Sequence, residues 1–318
     1  MSVSCVRKTK TDDKPAVIAP APLKETIKVL TVDDILIEKD FTYDKYTLDD
    51  VYPYKDKTRE FQWDKIKENL VLLENFQNKP AVWGVLQNRH DVNGRPPLTA
   101  EYQTNEYKEI TDMYGIQQYE GIPLYLDKNT KIPERYGDDG TLVKIISNDE
   151  DSLNVSTLFF EGDWIVPSKY VHIIPDTMTF SRVVFVDRTN QNIATLEKVD
   201  TKWLVRSMNP ATTGLHKPPL MYPTPLGIFV IQEKKPEMHY YVDGTTEIGG
   251  YAPYASRFSN GGYIHGVPVN LPATEMIEYG STLGTTPRSH MCVRNATSHA
   301  KFVYEWGILY HCLVFVID

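Results

Sequence analysis

The chain has few cysteines, no long apolar run and no basic cluster, and each scarcity excludes a class of protein. Three cysteines in 318 residues, Cys5, Cys292 and Cys312, cannot build a disulfide framework, and an odd number leaves at least one thiol free. No apolar run approaches the roughly 18 residues needed to cross a bilayer as a helix. A net charge of -8 without a Lys/Arg cluster lacks the basic footprint that phosphate binding requires, which excludes nucleic acid as a partner. The N-terminus has neither the charged region nor the apolar core of a secretory signal. Either a signal has been removed or the protein is not exported by that route. Cys5 would suit a lipid-modified N-terminus, although Ser2-Val3-Ser4 makes a poor lipidation sequence.

What remains is a composition that folds by burial: 41% hydrophobic and 24% charged residues. The length suits two or three domains. Residues 1–27 are Lys/Asp-rich and then Pro/Ala-rich, and read as a disordered tether. In residues 28–112 the apolar positions Trp63, Ile66, Leu70, Leu73 and Phe76 recur at steps of three and four, the period of an amphipathic helix ended by Lys79-Pro80. This segment is expected to be a small, partly helical domain. Residues 113–176 change texture to short apolar runs between Gly and Asp turns, the pattern of a small barrel. Residues 177–318 open with the hairpin pattern of Arg182–Asp187 and Gln191–Glu197. Cys312 lies in an apolar terminal strand, where a cysteine acts as a small hydrophobe.

Chemistry concentrates in Ser289-His290-Met291-Cys292-Val293-Arg294 and, upstream, Tyr263-Ile264-His265-Gly266. A thiol with one histidine two positions before it and a second in a glycine-flanked segment provides a nucleophile and a base. Near neutrality an unperturbed thiol is mostly protonated, so it needs that base. The 27 positions from His265 to Cys292 require the chain between them, Leu271–Arg288, to fold as a loop over the site. Ser289 is expected to hold loop geometry. Tyr240-Tyr241-Val242-Asp243 and the stretch through Tyr254 offer aromatic faces to a cleft.

These segments resemble the L,D-transpeptidases, whose signature is His-Gly, an insert, then Ser-His-Gly-Cys, an apolar residue and Arg or Asn. Tyr222-Pro223-Thr224-Pro225-Leu226-Gly227-Ile228-Phe229 resembles the family's Thr-Pro-x-Gly-x-Phe turn and strand. Trp164-Ile165-Val166-Pro167 is similar to the close of the bacterial Src-homology-three-like domains that accompany many wall enzymes. The resemblance implies a mainly β fold, with an L,D-transpeptidase-like catalytic domain preceded by a Src-homology-three-like barrel and a partly helical N-terminal region. It implies a peptidoglycan L,D-transpeptidase forming 3-3 cross-links through a cysteine acyl-enzyme on a tetrapeptide stem. Alternatives are an L,D-carboxypeptidase using the same intermediate, or a silent peptidoglycan-binding protein.

By the resemblance Cys292 is the nucleophile, His265 the base and His290 a further catalytic-pocket residue. Arg294, Gly266, Ser289, Met291 and Tyr254 are expected at the substrate. Peptidoglycan stem peptides are the implied partners, carbapenems the implied inhibitors, and neither metal nor cofactor is required. The implied location is the cell envelope or periplasm. Met291 departs from the pattern by standing where the family has glycine, a residue free to take positive φ. A narrowed or altered pocket is expected from that side chain.

Overall fold

The computed structural model describes residues 28–128, 131–175 and 178–318. The expected tether at 1–27, with Cys5, lies outside the described residues. The described residues are mostly β, with 42% of them in strands and 11% in helices.

A six-stranded sheet forms the backbone of the C-terminal part. Its strands, in spatial order, are Leu36–Lys39, Lys202–Pro210, Asn192–Val199, Arg182–Asp187, Cys312–Ile317 and Gly227–Val230. Arg182–Asp187 forms an antiparallel hairpin with Asn192–Val199 and pairs in parallel with the terminal strand. Both central strands are nearly unbroken apolar runs, as expected of strands covered on two faces. Alternation divides their side chains between two cores. Val183, Phe185, Leu313 and Phe315 face the first core, with Trp203 and residues Ile66, Leu70 and Leu73 of helix α1 (Trp63–Phe76). Val184, Val186, Val314 and Val316 face the second, with Phe258, Ile264, Val293 and Val303. Val303 belongs to helix α2 (Thr297–Trp306).

The segment expected as a separate N-terminal domain is spread over three neighbours. It contributes Leu36–Lys39 to the edge of the six-stranded sheet, α1 to its core and Val82–Leu86 to another sheet. That five-stranded sheet runs Asp163–Pro167, Ser152–Thr157, Leu142–Asn148, Val82–Leu86, Val171–Ile174. It encloses its own core of Leu86, Leu124, Val143, Val155, Trp164 and Val166.

A third sheet carries the residues of interest. Its order is Glu233–Tyr241, Ile248–Ser259, Gly262–His265, Val293–Arg294. The last two strands are parallel, with Ile264 opposite Val293 and His265 opposite Arg294. This pairing brings two segments distant in sequence side by side.

Candidate active site

Cys292 immediately precedes the Val293–Arg294 strand, and its sulfur rests against the turn that opens the neighbouring strand. The Sγ–H donates to the Gly261 carbonyl at 3.4 Å. Burial pushes the thiol pKa up, opposed by the Tyr263 backbone N–H and by the charges of Arg294 and Arg89. Its resting state at neutral pH is therefore the thiol, and attack requires an acceptor for the proton.

His265 is the buried histidine of the same cavity, 3% exposed. Its Nδ1 lies 2.6 Å from the Gly266 carbonyl oxygen. A carbonyl only accepts, so Nδ1 carries the proton and Nε2 keeps a free lone pair. Burial lowers the imidazole pKa to about 4; the Gly266 carbonyl opposes the shift and the Arg294 charge adds to it. His265 is thus neutral near pH 7 and able to accept a proton.

Arg294 faces the cavity without an ion-pair partner among the described residues, and its Nε is buried with no hydrogen-bond acceptor. A buried guanidinium donor left unpaired is costly, and a carboxylate satisfies it well. His290 stands on the exposed rim, its Nε2 3.0 Å from Asp243 Oδ1. The histidine and Asp243 line the same cavity. The cavity has a volume of about 510 Å³, and Tyr240, Asn270 and Leu283 complete much of its wall.

Ser289 serves geometry. Its hydroxyl donates to the Cys292 carbonyl, closing the four-residue turn, and its backbone N–H donates to Thr213 O at 3.1 Å. Thr224 Oγ1 donates to the Met291 carbonyl at 2.6 Å and accepts from the Gly214 N–H at 2.8 Å. A Cβ on Gly214 would stand 2.8 Å from Met291 Cα and 2.3 Å from the Tyr222 carbonyl, so only glycine fits against the turn that ends at Cys292.

Three expected substrate contacts lie elsewhere. Met291 has φ 130°, in the region that favours glycine, and its side chain lines a second cavity behind the turn. Met291 is not among the residues that line the Cys292 cavity, and its sulfur lies 3.9 Å from where a Cβ on Gly261 would stand, beside the carbonyl that accepts from the Cys292 thiol. Gly266 is buried behind His265, where a Cβ would meet Thr297 Oγ1 at 2.8 Å and Pro253 Cγ at 2.9 Å. Tyr254 packs edge-on against Tyr304 of α2, with ring centroids 5.9 Å apart. Ala252, two positions earlier, lines the thiol cavity in its place.

The roof is the loop between His265 and Cys292. Gly280, Thr282 and Leu283 line the cavity. Thr212 Oγ1 donates to Thr282 O at 3.0 Å and accepts from Gly284 N at 3.1 Å. Arg59, from the N-terminal segment, donates to the carbonyls of Gly284 and Thr285. Thr212 and Arg59 carry no motif, and sequence reasoning missed both.

Beneath the turn at Asn260–Tyr263 lies a partly buried ion network. Arg257 bonds Asp139 Oδ2 at 2.6 Å and Glu233 Oε2 at 3.1 Å. Arg89 donates to Glu233 at 3.1 Å and to the Tyr263 hydroxyl at 2.8 Å. Asp139 Oδ2 also accepts from the Asn260 N–H at 3.1 Å. Paired in this way, the charges compensate one another, and the network braces the backbone against which the Cys292 sulfur rests.

Residues 181–313 match the YkuD family, the L,D-transpeptidase catalytic domain. The C-terminal part of the chain is thus an L,D-transpeptidase-like domain. No curated protein matches the chain. Among solved structures, an Enterococcus faecium L,D-transpeptidase mutant is similar at 15% identity and TM-score 0.35, over 90% of this chain and 96% of that one. L,D-transpeptidase 3 from Mycobacterium tuberculosis, in complex with a faropenem-derived adduct, is similar at 17% identity and TM-score 0.35. That match covers 57% of this chain and 93% of the other. A fused Zn-dependent amidase/peptidase/peptidoglycan-binding domain-containing protein from Clostridium acetobutylicum is similar at 17% identity and TM-score 0.32, over 43% of this chain. The chain spans about half of that protein, 51%. No helix among the described residues is long and apolar enough to cross a membrane.

Proposed function

We propose that the L,D-transpeptidase domain acts through Cys292 as nucleophile and His265 as general base, forming 3-3 cross-links between peptidoglycan stems. The supporting observation is the pairing in one cavity of a protonated thiol and a neutral imidazole whose Nε2 is free. Sulfur attacks the carbonyl of the third residue of a tetrapeptide stem while Nε2 takes the thiol proton. The resulting imidazolium gives that proton to the departing amine of the terminal D-alanine, leaving a thioester on Cys292. An amine of a neighbouring stem then attacks the thioester, loses a proton to His265 and regenerates the thiol. The free guanidinium of Arg294 binds a carboxylate of the stem, while burial, with a smaller contribution from the Arg294 charge, keeps His265 neutral until the thiol proton arrives.

The proposal carries with it a location in the cell envelope or periplasm of a bacterium. Cys292 lines the first cavity and Met291 does not, which supports an accessible thiol despite the break in the family pattern. A carbapenem, whose strained carbonyl resembles the donor amide, is expected to acylate Cys292.

Incubation with a tetrapeptide donor and an amine acceptor, followed by mass spectrometry, tests the proposal. The expected product is the cross-linked dimer, absent with Cys292→Ala. Tripeptide without dimer would make the protein an L,D-carboxypeptidase. No turnover and no carbapenem adduct, beside a reference transpeptidase that gives both, would make it a binding protein.

A further inference from the structure

Behind the nucleophile turn lies the second cavity, of about 470 Å³, into which Met291 projects. Its walls are aromatic. Tyr222 stacks on Tyr107 with ring centroids 4.0 Å apart and planes 15° apart. Tyr114 and Phe159 line the opening and remain 62% and 46% exposed. One side of Tyr114 is covered by the Arg135 guanidinium, 4.2 Å from the ring centre.

The charged groups of this cavity are engaged with one another. Arg188 is paired with Asp318 at 2.6 Å, His216 with Glu106 at 3.0 Å and Glu120 with His90 at 3.1 Å. Two polar groups are not. Asn260 Oδ1 is buried without a hydrogen-bond partner among the described residues. The half-buried Asp138 carboxyl makes no side-chain hydrogen bond among the described residues. Burial and the nearby Asp112 and Asp139 push its pKa up to about 7, against Arg135. A carboxyl in that range both donates and accepts hydrogen bonds.

The contrast with the thiol cavity is informative. There a guanidinium is unpaired, which suits an anion. Here Arg188 and His216 are ion-paired and Arg135 lies against the Tyr114 ring, the free groups are an amide oxygen and the Asp138 carboxyl, and flat rings flank them. Aromatic faces take the C–H faces of pyranose rings, and the free amide and carboxyl take hydroxyl and amide hydrogens. A neutral, polar-edged ring satisfies both.

We propose that this cavity binds the uncharged glycan of the substrate polymer, a β-1,4-linked N-acetylated hexosamine segment, beside the stem peptide held at Cys292. The inference rests on the transpeptidase reading for its choice of polymer. Met291 forms part of the glycan site and adjoins the nucleophile, so a bound strand lies one residue from the turn that presents the thiol. Stems still attached to glycan are then held at two places, whereas free peptides are held at one.

Calorimetric titration of the full chain with an N-acetylglucosamine tetramer, which has no stem, tests the site directly. Wild type and Cys292→Ala are expected to bind alike, and the double variant Tyr114→Ala/Phe159→Ala at least tenfold more weakly. Transferred nuclear Overhauser contacts from tyrosine rings to the acetyl methyls of the bound sugar are expected in the unsubstituted protein. No binding by wild type would overturn the proposal. So would unchanged affinity in a folded double variant, or displacement of the sugar by a stem peptide. Failure of the transpeptidase reading would show separately, as loss of Cys292 acylation with sugar binding intact.

Discussion

Met291 shows how one residue can satisfy a motif's geometry while breaking its chemistry. Its φ of 130° is a glycine conformation, retained because Thr224, Gly214 and Ser289 clamp the turn from both sides. A non-glycine residue held there costs about 1–3 kcal/mol. Met291→Gly is therefore expected to raise stability by about 1 kcal/mol after the added freedom of glycine in the unfolded chain is deducted. Urea unfolding measures it, and a loss of stability would mean that the thioether's packing outweighs the strain. His265 sets a second expectation. Acylation needs its neutral form, and the folded pKa is about 4 against an ordinary 6.5. The rate should hold as pH falls through 6.5 and halve only near 4. A profile of carbapenem acylation against pH checks this, and an acid limb centred near 6.5 would remove His265 as the base. Stability follows the opposite partner. The unfolded chain takes up protons on His265 and on the buried His299, lowered by burial to about 3, from pH 6.5 downward. The folded chain does not, so the stability present above pH 6.5 is lost progressively as pH falls toward these folded values.

Among the elements, the roof loop decides whether the thiol works in a cavity or in open water. Its end is pinned by Thr212, which makes one hydrogen bond to Thr282 and one to Gly284. Thr212→Val keeps the shape and removes both bonds, at a cost of about 1–3 kcal/mol. The loosened roof should lower the acylation rate of Cys292 about tenfold while leaving circular dichroism unchanged. Intact-mass time courses with a carbapenem read the rate. An unaltered rate would show that the roof needs only Arg59 and its own turns to stay closed.

In the whole molecule, the N-terminal segment is part of the catalytic domain's core. Leu70 and Leu73 of α1 are fully buried against the face of the six-stranded sheet that bears Phe185, Trp203 and Phe315. Without α1 that apolar face would meet water. Residues 177–318 expressed alone are therefore expected to aggregate or remain unfolded, whereas residues 28–318 fold. Leu70→Ala in the full chain should cost about 2–5 kcal/mol, read as a lowered thermal midpoint. A soluble, cooperatively folding 177–318 fragment would show that the sheet can close over its own exposed face.

The linear chain itself determined the elements and pointed to the proposed nucleophile and base. Steps of three and four from Trp63 to Phe76 made α1, β-branched runs made the central strands, and Cys292 and His265 were identifiable because few side chains can serve as nucleophile and base. Those signals are local, and a local pattern reports which side chains share a face. The three-dimensional structure alone decided what each face meets. Tyr254 was read as a cleft residue and packs on α2; Met291 was read as a pocket residue and belongs to the cavity behind. Thr212 and Arg59, unmarked in any pattern, hold the roof from 70 and more than 200 positions away. Which cavity a side chain enters depends on backbone φ at a single residue and on partners brought close only by folding. Neither leaves a periodic trace in the order of amino acids.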